Sequence, residues 1–266
     1  MSHLLEVRNL TVALKKGKKT INAVNNISFT IDEGEILALA GETGCGKTLA
    51  ALSIAGLLPQ KAKITGGEII FDNRNLTSIS EKEYCGIRGR EISMIFQEVR
   101  QSLNPLLKVG LQITETLELQ DSRNKLQNKT KALKTLISLG FDEPEKIFNA
   151  YPHQLSGGMC QRIVTAIAAI GCPRLLLADE PSSALDAESQ ERILRLLAKM
   201  NRDNKMSVLI ITHDLSIIQK FASRYLVMYD GKIIEEGDAN RIFSPSHPYT
   251  QALVAAIPEK SKRGKI

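Results

Sequence analysis

Gly41-Glu42-Thr43-Gly44-Cys45-Gly46-Lys47-Thr48 is a glycine, four intervening residues, then Gly-Lys-Thr. What lies on either side of it decides the fold. Ile36-Leu37-Ala38-Leu39-Ala40 is a continuous apolar run, the pattern of a strand buried on both faces of a parallel sheet. Leu49 to Leu58 reads as a helix, with Pro59 as its stop. Strand, glycine loop and helix together form the context in which this pattern binds phosphate. Backbone N–H groups can curl around phosphate oxygens where no bulky side chain obstructs them. The helix N-terminus adds partial positive charge. Lys47 can reach the β- and γ-phosphates, and the Thr48 hydroxyl can ligate Mg²⁺. A glycine turn with a chance lysine is the plain alternative, and the flanking context weighs against it.

Outward from this stretch, Leu5 to Leu14 and Ile21 to Ile31 read as two strands joined by a lysine-glycine turn at 15–19. Asp32-Glu33-Gly34 is a turn. After Pro59 the sequence reads as a basic linker with Gly66-Gly67, then a short strand Glu68 to Phe71 ended by Asp72-Asn73. Ile92 to Phe96 is a further strand, ending on Gln97. From Ser102 to about Ala150 the pattern is helical, with Leu133, Leu136 and Ile137 at helical spacing before Gly140. Pro105 and Pro144 punctuate this stretch, which reads as a helical insert in an α/β core.

Leu155-Ser156-Gly157-Gly158 opens another helix, running to about Gly171. The strand Leu175-Leu176-Leu177-Ala178-Asp179 ends in Asp179-Glu180. Such a strand puts Asp179 at the carboxyl edge of a parallel sheet, beside the phosphate loop. There it can hold Mg²⁺, through water, while Glu180 orients and deprotonates an attacking water. A strand end with two solvated acids is the plain alternative. Glu188 to Met200 is an amphipathic helix, Ser207 to Thr212 a buried strand capped by His213, Leu215 to Ala222 a helix, and Tyr225 to Tyr229 a strand. Asp230-Gly231 then makes a tight turn into Lys232 to Glu236.

Composition excludes several classes. The 266 residues are 43% apolar and 24% charged, ordinary for a globular protein with a sizeable core. The apolar runs fall short of the roughly 20 residues a membrane helix needs, and the first eight residues lack a signal-peptide layout. A cytosolic chain is expected. Net charge is +6, but the basic clusters at 15–19 and 260–265 read as a solvated turn and a frayed terminus. No nucleic-acid module accompanies them. Cys45, Cys85, Cys160 and Cys172 are scattered, as are His3, His153, His213 and His247, which argues against zinc and disulfides.

Six motifs in order resemble those of the ATP-binding subunits of ABC transporters: the loop at 41–48, Gln97, Leu155-Ser156-Gly157-Gly158, the acidic strand at 175–180, Ser183-Ala184-Leu185-Asp186, and His213. The resemblance covers roughly residues 5 to 240. It implies an α/β fold, a P-loop NTPase core with a mainly parallel sheet, an antiparallel β subdomain, and an inserted helical subdomain at about 98–163. It implies ATP hydrolysis with Mg²⁺. By resemblance, His213 contacts the γ-phosphate and Gln97 touches Mg²⁺ and the lytic water. Ser156, Gly157 and Gly158 meet the ATP of a second ATP-binding subunit, identical or paralogous, so that two nucleotides are sandwiched head to tail. Taken alone, Ser156 would be an ordinary helix N-cap.

Departures from the family pattern are Leu14, where an aromatic residue usually stacks on adenine, Cys45 in place of serine, Cys160 in place of arginine, and Glu98-Val99 in place of Asp-Pro. None removes a catalytic group. The tail, 241–266, carries Ser244-Pro245-Ser246-His247-Pro248-Tyr249-Thr250, which resembles the segment of peptide and nickel importer ATPases. The sequence stops at Ile266 without the cysteine-rich extension of some peptide members, which leans toward the shorter, nickel-type layout.

The expected function is ATP hydrolysis driving import of peptides, nickel or metal chelates through transmembrane permease subunits. The chain would sit at the cytoplasmic face of the membrane and serve an extracytoplasmic substrate-binding protein indirectly, with no nucleic-acid partner. The alternative is a non-transport ABC ATPase acting on nucleic acid or ribosomes. Such proteins usually carry two cassettes, coiled coils or zinc modules, none of which is evident. A regulatory subunit without turnover is a third reading, disfavoured by Glu180 and His213.

Overall fold

The computed structural model describes residues 3–97, 102–118, 124–182 and 185–256. Glu98-Val99-Arg100-Gln101, Ser183-Ala184 and the basic tail at 260–265, all singled out above, lie outside the described residues. The chain forms two compact units. One comprises 1–79 with 209–266, the other 80–208.

In the first unit, β1 (Leu5–Lys16) pairs antiparallel with β2 (Lys19–Ile31) through the lysine-glycine turn. β3 (Ile36–Ala40) is buried at all five positions, as its unbroken apolar run requires. It enters the glycine loop, and α1 (Lys47–Ala55) leaves it. This helix begins two residues earlier than expected and stops before Pro59. Its stop is Gly56, whose left-handed backbone (φ 63°) lets Leu57 donate its N–H back to the Leu52 carbonyl at 2.8 Å.

The expected basic linker is mostly strand. β4 (Ala62–Phe71) runs ten residues antiparallel to β1, and β5 (Arg74–Asn75) pairs on its other side. The glycine pair at 66–67 hides the strand locally, and pairing with the distant β1 overrides that preference.

The chain re-enters this unit along β8 (Ser207–Ile211), whose last three residues belong to it. Then come α8 (Leu215–Phe221), β9 (Arg224–Tyr229), β10 (Lys232–Asp238) and α9 (Pro248–Ala255). β9 lies parallel to β3 and antiparallel to β10. Asp230 and Gly231 both take positive φ, the geometry of the expected tight turn.

In the second unit, α2 (Glu81–Ile87) opens with a reciprocal Ser80–Glu83 capping box. β6 (Ile92–Ile95) runs parallel to β7 (Leu175–Asp179), with Ile92 opposite Leu175 and Ile95 opposite Ala178. The helices are α3 (Val109–Glu118), α4 (Lys125–Ser138), α5 (Pro144–Asn149), α6 (Gly157–Ile170) and α7 (Ala187–Asn204). α6 packs against α3, α4 and α7, burying Ile163, Ala166, Ala169 and Ile170. α7 buries the apolar stripe Ile193, Leu194, Leu196 and Leu197 read from the sequence, each worth about 1.5–3 kcal/mol. Among the described residues no helix is long and apolar enough to cross a membrane.

Candidate functional site

The phosphate loop in the first unit is shaped by its own lysine. Lys47 is buried at 6% exposure. Its ammonium donates to the Gly41 carbonyl at 2.8 Å and the Glu42 carbonyl at 2.7 Å, and reaches Cys45 Sγ at 3.6 Å. An ammonium has three donors. Two are held by strong carbonyl acceptors, and the third meets only a weak sulfur acceptor. That third direction is the one an anionic oxygen would win.

The backbone is ready for an anion as well. Gly46 sits at φ 112°, and a Cβ there would drive into the Ala23 carbonyl of β2 and the Met228 methyl of β9. No acidic residue occupies the first turn of α1, so no carboxylate competes for its open N–H groups. Thr48 is exposed on that turn, as are Glu42, Thr43 and Gly44 in the loop. The Gly231 N–H, in the turn after β9, donates to the Cys45 carbonyl at 3.0 Å and braces the loop from behind.

Two other candidates lie in this unit. Leu14 is half-buried on β1, opposite Ile21 of β2 and Ala62 of β4. His213 is exposed just after β8. The Thr212 N–H donates to the Leu39 carbonyl at 3.3 Å, so His213 leaves its strand alongside the residues that feed the glycine loop. The Thr212 hydroxyl accepts from the Asp214 N–H at 3.0 Å, and Asp214 caps α8, which fixes the turn that carries the histidine.

The second unit brings Gln97 and Glu180 together. They are 83 residues apart, yet Gln97 Nε2 donates to Glu180 Oε2 at 3.3 Å. The parallel β6–β7 pair ends both strands at the same edge, which delivers both residues there. Asp179 closes β7 at 2% exposure. Glu180 is half-buried, and its backbone is left-handed at φ 47°. Holding a non-glycine residue in that region costs about 1–3 kcal/mol, and such strain concentrates at functional sites.

Gln161 accounts for part of what holds it, and sequence reasoning missed it. This side chain is 2% exposed on α6 and donates from Nε2 to the Pro181 carbonyl at 2.7 Å. The available signal was an amide side chain on a mostly apolar helix face.

At the start of α6 the Ser156 hydroxyl accepts from the Met159 N–H at 3.3 Å, so the N-cap reading of this serine is physically true. Ser156 is exposed, with Gly157 and Gly158 half-buried behind it. Leu185 of the following loop lies where a Cβ on Gly158 would meet it at 3.2 Å. Asp186 caps α7. The Ser189 backbone N–H, then the Ser189 hydroxyl, hold its carboxyl below the usual range.

The other missed residue is Tyr249 in the tail. Its hydroxyl accepts from the Glu42 N–H at 3.3 Å, inside the phosphate loop. The sequence flagged the segment but not that contact.

A left-handed glutamate just past the end of a buried aspartate's strand, and a lysine folded over a glycine loop that opens a helix, are the marks of a nucleotide-hydrolysing protein. The family model described as ABC transporter matches residues 24–183, and the chain belongs to that family. It binds ATP and is an ATPase.

Its relatives include the oligopeptide transport ATP-binding protein AppD of Bacillus subtilis, 44% identical over 97% of this chain and 79% of that one. The dipeptide transport ATP-binding protein DppD of the same organism is 44% identical over 99% and 79%. DppD of Escherichia coli is 40% identical over 96% and 79%. Among solved structures, the dimeric bacterial ABC transporter cassette MJ0796 superposes with a TM-score of 0.80 at 31% identity, covering 88% of this chain and 98% of that one. The α/β fold is therefore that of the P-loop ATPase cassettes.

Proposed function

We propose that this chain hydrolyses ATP to drive import of peptides through separate membrane subunits. The observation that carries the cargo class is the 44% identity to oligopeptide and dipeptide transport ATP-binding proteins, spread over 97–99% of the chain. The loop Gly41 to Thr48 wraps the phosphates, and Lys47 turns its third N–H to them. Thr48 in the first unit, and Asp179 and Gln97 in the second, each offer an oxygen donor of the kind Mg²⁺ takes. When bound, the metal neutralises charge on the phosphates. Glu180 accepts the proton of the attacking water, held in place by Gln97. His213 contacts the γ-phosphate. Leu14 borders the base with an aliphatic rather than an aromatic surface.

Ser156, Gly157 and Gly158 serve the nucleotide of a second cassette, since one chain carries one loop and one signature. A permease segment would dock on the second unit, where Leu106, Leu107, Leu111, Phe148 and Tyr151, with Lys108 and Asn149, line an open groove of about 420 Å³. Leu106 is 82% exposed there, and an apolar surface of this kind marks an interaction site. The chain would thus work as a peripheral subunit at the cytoplasmic membrane face. The extracytoplasmic binding protein would act on it only through the permease.

Mixed dimers test the reading. With two identical cassettes, a chain bearing both Lys47→Ala and Ser156→Arg, paired with wild type, loses both sites. The same lesions on separate chains leave one site intact. Equal turnover in the two arrangements would refute shared sites. In reconstituted vesicles, ATP turnover stimulated by a nickel chelate but by no peptide would overturn the cargo class.

A further inference from the structure

The Gly41–Glu42 peptide is gripped at both ends. Its carbonyl accepts from Lys47 at 2.8 Å, and its N–H donates to the Tyr249 hydroxyl at 3.3 Å. Tyr249 comes from 207 residues away in the chain. The segment that brings it is anchored independently. The Ser246 N–H donates to the Glu235 carboxylate of β10 at 2.7 Å. His247 caps α9 by accepting the Tyr249 N–H at 3.2 Å. Thr250 is fully buried. Tyr249, Leu253 and Val254 pack on the cluster that contains Ala38 and Ala40 of β3, the strand that feeds the loop. The Tyr249 ring also lies 4.4 Å from that of Tyr229, whose neighbouring turn supplies the Gly231 brace on Cys45.

We propose that Tyr249 is a positioning residue for the phosphate loop: its hydroxyl holds the Gly41–Glu42 peptide so that the Gly41 carbonyl faces Lys47. This rests on the ATPase reading above. Gly41 lacks the side chain that would hinder rotation of this peptide, and it sits at φ 144°. Without an acceptor on the Glu42 N–H, the peptide can turn. The Gly41 carbonyl would then leave the ammonium, and the third N–H of Lys47 would lose its aim. Burial pushes the Tyr249 phenol above its ordinary value, so the group is a neutral hydroxyl at physiological pH. The His-Pro-Tyr-Thr segment is in this account a strut that carries the tyrosine to the loop.

Tyr249→Phe in the full chain, assembled with its transporter, isolates the hydroxyl and keeps the ring on Tyr229. One lost hydrogen bond should raise KM for ATP about 2- to 13-fold. It should leave kcat within about twofold, because the grip acts on ground and transition states alike. The Kd of a non-hydrolysable ATP analogue should rise by the same factor. A merely structural contact would lower the melting temperature and leave KM unchanged. Glu42→Pro deletes the donor instead of the acceptor. It should raise KM too, and adding Tyr249→Phe to it should raise KM no further. An independent rise in the double variant overturns the strut, as does a wild-type Kd and KM in Tyr249→Phe. If the wild-type complex binds the analogue but turns over no ATP, the ATPase reading fails, while the analogue Kd still decides the role of Tyr249.

Discussion

Replacing Glu180 by glutamine removes a base and almost nothing else. The two side chains share a shape. The glutamine Oε1 can still accept the Gln97 amide that Glu180 accepts at 3.3 Å. The backbone strain at φ 47° is the same for both residues. Stability should therefore move by less than about 0.5 kcal/mol. Activity should not survive. A positioned general base contributes about 10²–10⁴-fold, or about 2.7–5.4 kcal/mol at 1.36 kcal/mol per decade. Steady-state phosphate release from the assembled transporter should fall by that factor, while equilibrium ATP binding holds and the ATP-bound dimer accumulates on size exclusion. Turnover within tenfold of wild type would remove Glu180 from the base role. Loss of ATP binding together with turnover would recast it as a binding residue.

Glu180→Gly supplies a control that separates strain from chemistry. Glycine relieves the left-handed penalty of about 1–3 kcal/mol, loses about 0.5–1 kcal/mol to its own chain entropy, and gives up the bond from Gln97, worth about 0.5–1.5 kcal/mol. The variant should be inactive yet close to wild type in stability. Glu180→Ala, which gives up the same bond but keeps the strain, should melt lower than Glu180→Gly; the reverse order would mean that the conformation at 180 carries no strain.

Gly46→Ala should abolish measurable nucleotide binding, because its methyl would meet the Ala23 carbonyl at a φ of 112°; normal affinity by calorimetry would show that the loop is not held as described. Alkylation of Cys45 should block ATP binding and ATP should protect the thiol, since its Sγ lies 3.6 Å from the Lys47 ammonium; unchanged affinity after mass-verified modification of Cys45 would count against the site. Burial pushes the phenols of Tyr84 and Tyr225 up to about 12. Unfolded phenols ionise near 10, so both contributions are complete below about pH 10 and are lost as pH rises through about 12. The unfolding free energy from denaturant titration should fall across that window with a slope of up to about 1.4 kcal/mol per pH unit for each tyrosine, and the midpoint should fall with it. Tyr84→Phe should flatten part of the fall, and a midpoint independent of pH there would contradict the burial assignment.

What was legible in the sequence follows from how far apart the cooperating groups are. The phosphate loop is eight consecutive residues, and its work is done by their own backbone and by Lys47. The motif, the strand before it and the helix after it could therefore be read without any distant partner. Where a local cue competed with a nearer or remoter one, the reading slipped. Pro59 is a strong stop, but Gly56 ends α1 first by taking a left-handed turn. Gly66-Gly67 looks like linker, but β1 supplies a pairing edge and makes it strand.

The hydrolytic groups pose a harder problem of the same kind. Asp179 and Glu180 stood out because an apolar strand ending in two acids is a local pattern. Gln97 did not, because its meaning is its contact with Glu180, 83 residues on. Nothing in the spacing of one chain names that partner, so only resemblance suggested its role. Tyr249 lies further along this scale. Its segment was recognisable, but its acceptor role depends on a single N–H in a loop 207 residues away. A hydrogen bond leaves no period in the sequence, and tyrosine serves equally well as a packed ring. Residues that act through their own neighbours can be assigned from sequence. Those that hold another residue in place become visible only when the fold sets the two side by side, which is why the positioning residues Gln161 and Tyr249 appeared only in the structure.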